Sequence, residues 1–183
     1  DKVPLHKDSY VINVGSNIGE LAILIANKGP NVICIEGDCR NIEALKENTN
    51  TFGCEVIESI IWKKNEKICF ESDIKEANSA ISFSDQSFKK TQAFTLDTIL
   101  KSYGLEEIQL IIGDMEGAEP EMLLGAKKIL KITKYISLDC GLEREGKSTS
   151  NKCKKILLKN NWQIIHSFQS GRYNLLAKNN LFK

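Results

Sequence analysis

Short apolar runs alternate along this chain with stretches of helical spacing. Tyr10–Gly15, Asn31–Glu36, Glu55–Trp62, Gln109–Met115 and Lys134–Asp139 are rich in Val, Ile and Leu and are flanked by polar turns, the pattern of core strands. Ile18–Asn27, Arg40–Thr51, Leu96–Lys101, Pro120–Leu130 and Ser150–Asn160 read as helices. Lys28-Gly29-Pro30 stops the first of them, and Pro120 suits a first helical turn. The second places Ile42, Leu45 and Asn48 on one face and ends at Phe52-Gly53. Glu66–Glu71 reads as a short extra strand, and the serine-rich segment Asn78–Lys90 as a loop. Trp162–Phe168 and Tyr173–Ala177 alternate around Gln169-Ser170-Gly171-Arg172, which predicts an antiparallel hairpin. The whole reads as one α/β domain over residues 1–183: a mostly parallel, doubly wound sheet with helices on both faces and a closing antiparallel hairpin.

Composition narrows the class. The chain is 42% hydrophobic and 27% charged with a net charge of +1, so nothing draws it as a whole towards nucleic acid or an anionic membrane. No apolar run approaches the ~20 residues of a membrane span, and a cytoplasmic location is expected. Six cysteines form no C-x-x-C pair, and His6 and His166 stand far apart, so no metal site is expected and the cysteines read as scattered reduced thiols. Lys127-Lys128 and Lys154-Lys155 read as solvated helix faces.

Two constellations carry chemistry. In Asn13-Val14-Gly15-Ser16-Asn17-Ile18-Gly19 a strand ends in a glycine-bounded turn that opens a helix, and the next strand ends on Glu36. Such a turn brings backbone N–H groups to a ligand, and an acid at the neighbouring strand tip accepts ribose hydroxyls. A nicotinamide site would carry a glycine where Asn17 stands, because a side chain there crowds the pyrophosphate. A cofactor without phosphates, S-adenosyl-L-methionine, fits better. The second constellation is Asp114-Met115-Glu116-Gly117-Ala118-Glu119, three carboxylates just past the fourth strand. Asp114 belongs beside the first strand's tip, where it can orient or deprotonate an attacking hydroxyl. The closing hairpin, too, fits a methyltransferase better than a dehydrogenase.

These residues resemble the FkbM family of S-adenosylmethionine-dependent methyltransferases from about Tyr10 to about Leu142. The family's D-V-G-A-N-x-G is similar to Asn13–Gly19, its E-P to Glu36-Gly37 and its L-D to Leu96-Asp97. Its I-K-x-D-x-E-G-x-E is similar to Ile111–Glu119, and its L-x-G-A to Leu123–Ala126. The resemblance implies a Rossmann-like class I methyltransferase fold and methyl transfer to oxygen, often on a sugar. Asn13, Gly37 and Ile112 depart from the family's Asp, Pro and Lys.

The expected cofactor site comprises Asn13, Gly15, Ser16, Asn17, Ile18 and Gly19 around the amino-acid tail. Glu36 and Gly37 serve the ribose, Ser59 and Ile60 the adenine, and Asp114 the methyl end. Asp114, Glu116 and Glu119 are the expected catalytic residues, and the expected partner is a small molecule presenting a sugar hydroxyl, with no nucleic acid. The Ser79–Asp85 loop is a candidate cover for the substrate. Asn13 and Ile112 motivate one alternative, a non-catalytic cofactor-binding module of a larger glycan-related or viral protein. A nicotinamide-dependent oxidoreductase is the remaining one.

Overall fold

A computed structural model describes residues 2–72, 79–81, 90–144, 146–167 and 173–182, with backbone only at 71, 72 and 79–81. Eleven strands and five α-helices are described. The strands of the main sheet are β1 (Tyr10–Val14), β2 (Asn31–Glu36), β3 (Glu55–Glu58), β8 (Ile108–Gly113), β9 (Thr133–Asp139), β10 (Trp162–Ser167) and β11 (Asn174–Asn179). They lie in the order β3-β2-β1-β8-β9-β11-β10. β3, β2, β1, β8 and β9 pair in parallel, while β11 runs antiparallel to both β9 and β10. This is the doubly wound sheet with a closing hairpin that the alternation predicts. The hairpin's expected turn, Gln169 to Arg172, lies outside the described residues.

The helices are α1 (Glu20–Ala26), α2 (Cys39–Thr49), α3 (Leu96–Ile99), α4 (Glu119–Leu124) and α5 (Ser150–Lys159). Period-two alternation splits the strand side chains between two apolar layers. Val11, Val32, Cys34 and Leu110 pack with Ala22 and Ile25 of α1 and Leu45 of α2. Ile12, Val14, Ile33, Ile35 and Ile111 pack on the other face with residues of α3, α4 and α5. All six cysteines carry free thiols.

Four expectations are corrected. Glu55–Trp62 is not one strand: β3 ends at Glu58, the Ser59 N–H donates to the Glu36 carbonyl at 2.8 Å, and β4 (Ile60–Ile61) leaves to pair with β7 (Lys90–Phe94). With β5 (Glu66–Ser72) and β6 (Ser79–Ile81) these make a second sheet, β4-β7-β5-β6. The Asn78–Lys90 segment is therefore not simply a loop: β6 lies inside it, and its last residue opens β7, a strand the periodicity did not mark. Residues 82–89, most of the Ser79–Asp85 candidate cover among them, lie outside the described residues.

The Pro120–Leu130 helix stops at Leu124. A Cβ on Gly125 would stand 2.3 Å from the Trp62 carbonyl oxygen, so the chain turns tightly there. The Asp97 carboxylate then accepts the N–H groups of Lys128 and Ile129 at 2.9 Å each, at the start of a separate 3-10 turn over Ile129–Lys131. The Leu-Asp pair is thus structural: Leu96 is buried and Asp97 ends the neighbouring connection. Finally, Asn48 is exposed; Thr49 takes the buried place beside Leu45, and the Asn48 amide donates to the Ile18 carbonyl at 2.8 Å.

Candidate active site

Parallel strands release their chain at one edge of the sheet, and loops that leave for opposite faces open a crevice between them. Here the tips of β1, β2 and β8 meet. The Gly15 N–H donates to the Ile35 carbonyl at 2.9 Å, and the Asp114 N–H to the Val14 carbonyl at 3.0 Å. Gly15 has φ +77°, and a Cβ there would stand 1.8 Å from the Asp114 carbonyl oxygen. Only glycine lets the two strand tips close to this distance.

Beyond Gly15, Asn17 adopts φ +49° and its N–H donates to Glu36 Oε2 at 2.8 Å. Glu36 Oε1 accepts the Asp38 N–H at 2.8 Å. A carboxylate oxygen takes more than one donor, so Glu36 is oriented by the backbone and keeps capacity for a ligand's hydroxyls. Burial raises its pKa above the ordinary carboxylate value, and the N–H donors oppose that shift.

A cleft opens between the tips, with about 670 Å³ of space between its walls when the open solvent at its mouth is included. Of the residues expected at the site, Gly15, Asn17, Glu36, Gly37, Ser59, Ile60, Asp114 and Glu116 line it. Asn13, Ser16, Ile18, Gly19 and Glu119 do not. Asn13 is buried in β1, and its carbonyl accepts the Ser16 hydroxyl at 2.9 Å. Gly19 caps α1 at φ +98°, pressed against Leu45 and Thr49. These residues shape the turn rather than face the cleft.

Glu119 is buried at 1% exposure, and its oxygens accept the Gly117 N–H at 3.0 Å, the Met115 N–H at 3.3 Å and the Thr149 hydroxyl at 2.6 Å. Burial pushes its carboxyl up to about 7, against the pull of these donors. Glu116, at φ +49°, faces the cleft. Burial, followed by the charges of Asp114, Glu143, Glu119 and Asp139, also pushes it up to about 7. Behind the loop, buried Glu121 binds Arg144 at 2.9 Å and Lys152 at 3.1 Å, tying α4 to the connection that leads into α5. Among the described residues no cluster of His, Cys, Asp and Glu could hold a metal ion.

Sequence reasoning missed Phe70, Asn41, Ile61 and Met115, which also line the cleft. Asn41 and Met115 neighbour motifs that were recognised. Phe70 carries no local signal: it comes from the second sheet and reaches Gly37, where an added Cβ would stand 3.4 Å from the ring and 3.1 Å from Ile60. Gly37, where the family has proline, makes that approach possible. The Ser59 hydroxyl oxygen beside them is buried without a hydrogen-bond partner among the described residues.

The fold is a doubly wound α/β sheet with a cleft at the tips of its parallel strands. The model of the methyltransferase FkbM domain matches residues 13–154, and the chain belongs to that family. A comparison with curated proteins returns no match. Among solved structures, a ribosomal protein L11 methylase from Lactobacillus delbrueckii subsp. bulgaricus superposes with a TM-score of 0.55 at 15% identity, over 94% of this chain and 71% of that one. TrmK from M. capricolum, solved with S-adenosylhomocysteine, gives 0.59 at 10%, over 96% and 64%. A fibrillarin pre-rRNA processing protein from Methanococcus jannaschii gives 0.60 at 13%, over 97% and 69%. At these identities the superpositions speak for the fold. The family's methyl donor is S-adenosylmethionine, and the residues present fit it: a glycine-bounded turn with a side chain at Asn17, an oriented carboxylate at Glu36 and a buried hydroxyl at Ser59 with no partner among the described residues.

Proposed function

We propose that the protein is an O-methyltransferase whose acceptor is a sugar or another small hydroxylated molecule. The observation that carries this reading is the placement of Asp114 and Glu116 on the cleft wall, at the tip of the strand next to the glycine turn. When bound, the cofactor supplies an electrophilic methyl group on a sulfonium. The backbone of Gly15 to Asn17 receives the amino-acid tail, Glu36 the ribose diol, and Ser59, Ile60 and Phe70 the adenine.

Asp114 and Glu116 orient the acceptor hydroxyl. One of these carboxylates would take the hydroxyl proton as the acceptor oxygen becomes the nucleophile. A carboxyl held at about 7 matches that task near neutral pH. Glu119 acts as a positioning residue that holds the Met115–Gly117 loop. Most of the acceleration comes from holding two reactants in line.

The test is titration of the chain with S-adenosylmethionine, S-adenosylhomocysteine and NADH beside Glu36→Ala, followed by methyl transfer to a panel of sugars and glycosides. Binding of the first two, lost in the variant, with transfer to hydroxyl oxygen, is the expected result. Binding with no transfer to any hydroxyl acceptor overturns the O-methyl assignment.

A further inference from the structure

The chain is almost neutral, with 25 basic and 24 acidic residues, yet its charges are segregated. No Asp or Glu stands between Met122 and Leu138, a stretch with four lysines, or between Gly146 and Ser167, a stretch with five. α5, which carries Lys152, Lys154, Lys155 and Lys159, packs on α4. Lys134 and Lys152 have carboxylate partners; Lys127, Lys128, Lys131, Lys155 and Lys159 have none among the described residues.

Beside the lysines of α5 the surface is apolar. An open, shallow groove between α4 and α5 is lined by Leu124, Ile156 and Leu158 together with Lys152, Lys155 and Lys159. Leu124 is 40% and Leu158 58% exposed. Lys152 is paired with the buried Glu121, while Lys155 and Lys159 flank the exposed leucines. Leucines exposed beside lysines that have no carboxylate partner among the described residues are matched by a surface that is anionic outside and apolar beneath.

We propose that this face of α4 and α5 docks on an anionic lipid bilayer, with Leu124 and Leu158 entering the headgroup boundary and the lysines facing lipid phosphates. The exposed leucines set this occupant apart from nucleic acid, whose phosphates would use the lysines and leave the leucines in water. Leu124 lies five residues beyond Glu119 on α4, about 8 Å along the helix axis. A docked bilayer therefore lies one to two helical turns from the loop that carries Asp114 and Glu116.

The experiment is co-sedimentation with vesicles of phosphatidylcholine alone and of equal parts phosphatidylcholine and phosphatidylglycerol, at low and high salt. Leu124→Ser/Leu158→Ser and Lys155→Glu/Lys159→Glu serve as variants, each checked for far-ultraviolet dichroism and S-adenosylhomocysteine binding to show an intact fold. The expected result is binding to the anionic vesicles only, weakened about tenfold by either double variant and by salt. Equal binding to neutral vesicles, no vesicle binding by the parent chain, or binding that survives both variants overturns the proposal. So does tighter binding to a single-stranded RNA oligomer that persists in Leu124→Ser/Leu158→Ser, which would make the lysines a nucleic-acid surface.

Discussion

Glu36 Oε2 accepts the Asn17 N–H at 2.8 Å across 19 residues of sequence, joining the acid at the tip of β2 to the glycine turn after β1. Its second oxygen holds Asp38, whose own carboxylate caps α2 by accepting the Arg40 N–H at 2.9 Å. One side chain therefore sets the turn and the helix entry together, and it is the side chain proposed to hold the ribose.

Glu36→Ala removes the partner of two backbone N–H groups. It is expected to destabilise the fold by about 1–3 kcal/mol and to weaken S-adenosylhomocysteine binding at least about tenfold, equivalent to about 1.4 kcal/mol. Calorimetric titration beside a thermal melt separates the two losses. Unchanged affinity would remove Glu36 from the ribose site.

Gly15→Ala meets both a positive φ and the Asp114 carbonyl oxygen. The two strand tips must part, at an expected cost of at least about 2 kcal/mol. Serine at this position should behave alike, since the obstacle is the Cβ. A thermal melt that leaves the midpoint unchanged would contradict the close approach of β1 and β8.

Glu116 and Glu119 share a pKa of about 7 in the folded protein, above the unfolded value of 4.5. Between those values the folded state holds more protons than the unfolded one, so stability falls as pH rises from about 4.5 to 7. If Glu116 is the carboxylate that takes the hydroxyl proton, turnover has the opposite slope, because proton acceptance needs its ionised form. The rate is expected to rise through about pH 7 in the parent chain and to lose that inflection in Glu116→Gln. A profile flat through neutrality would exclude Glu116 as the proton acceptor.

Thr149→Val takes a donor from buried Glu119. A loss of about 1–3 kcal/mol is expected, with a lower kcat but little change in cofactor KM, because the Met115–Gly117 loop loosens while Gly15 and Glu36 stay in place. Thr149→Ser, which restores the hydroxyl, should recover both. A change confined to cofactor KM would place Glu119 in the cofactor site instead.

Phe70→Ala opens the wall over Gly37. Affinity for S-adenosylhomocysteine should fall about tenfold, as expected for loss of a ring that packs on a base. Phe70→Tyr should retain it. If the alanine variant binds normally, the second sheet has no part in holding the cofactor.

Much of this molecule is legible in local pattern. β2 runs over the expected residues Asn31–Glu36, because a short Val/Ile run between polar turns has one stable conformation in an α/β core. Gly15, Asn17, Glu36, Asp114 and Glu116 could be placed at the cleft because a doubly wound sheet brings its loops to one edge, whatever the side chains. Glu119 was grouped with the other acids by spacing alone, and spacing does not reveal that Thr149 lies opposite it.

The sequence by itself determined the strands and helices of the main parallel sheet and its α/β class, since periodicity, glycine turns and helix stops act within a few residues. It also determined the family, through motifs whose backbone demands are local. Only the tertiary structure decided the rest. The strand break at Ser59 depends on the Glu36 carbonyl taking its N–H. The reach of Phe70 to Gly37 depends on how the second sheet folds over the first. The placing of Leu124 beside the lysines of α5 depends on α4 packing against α5. Each is a contact between residues distant in the chain, formed by the packing of whole layers, and no window along the sequence contains both partners.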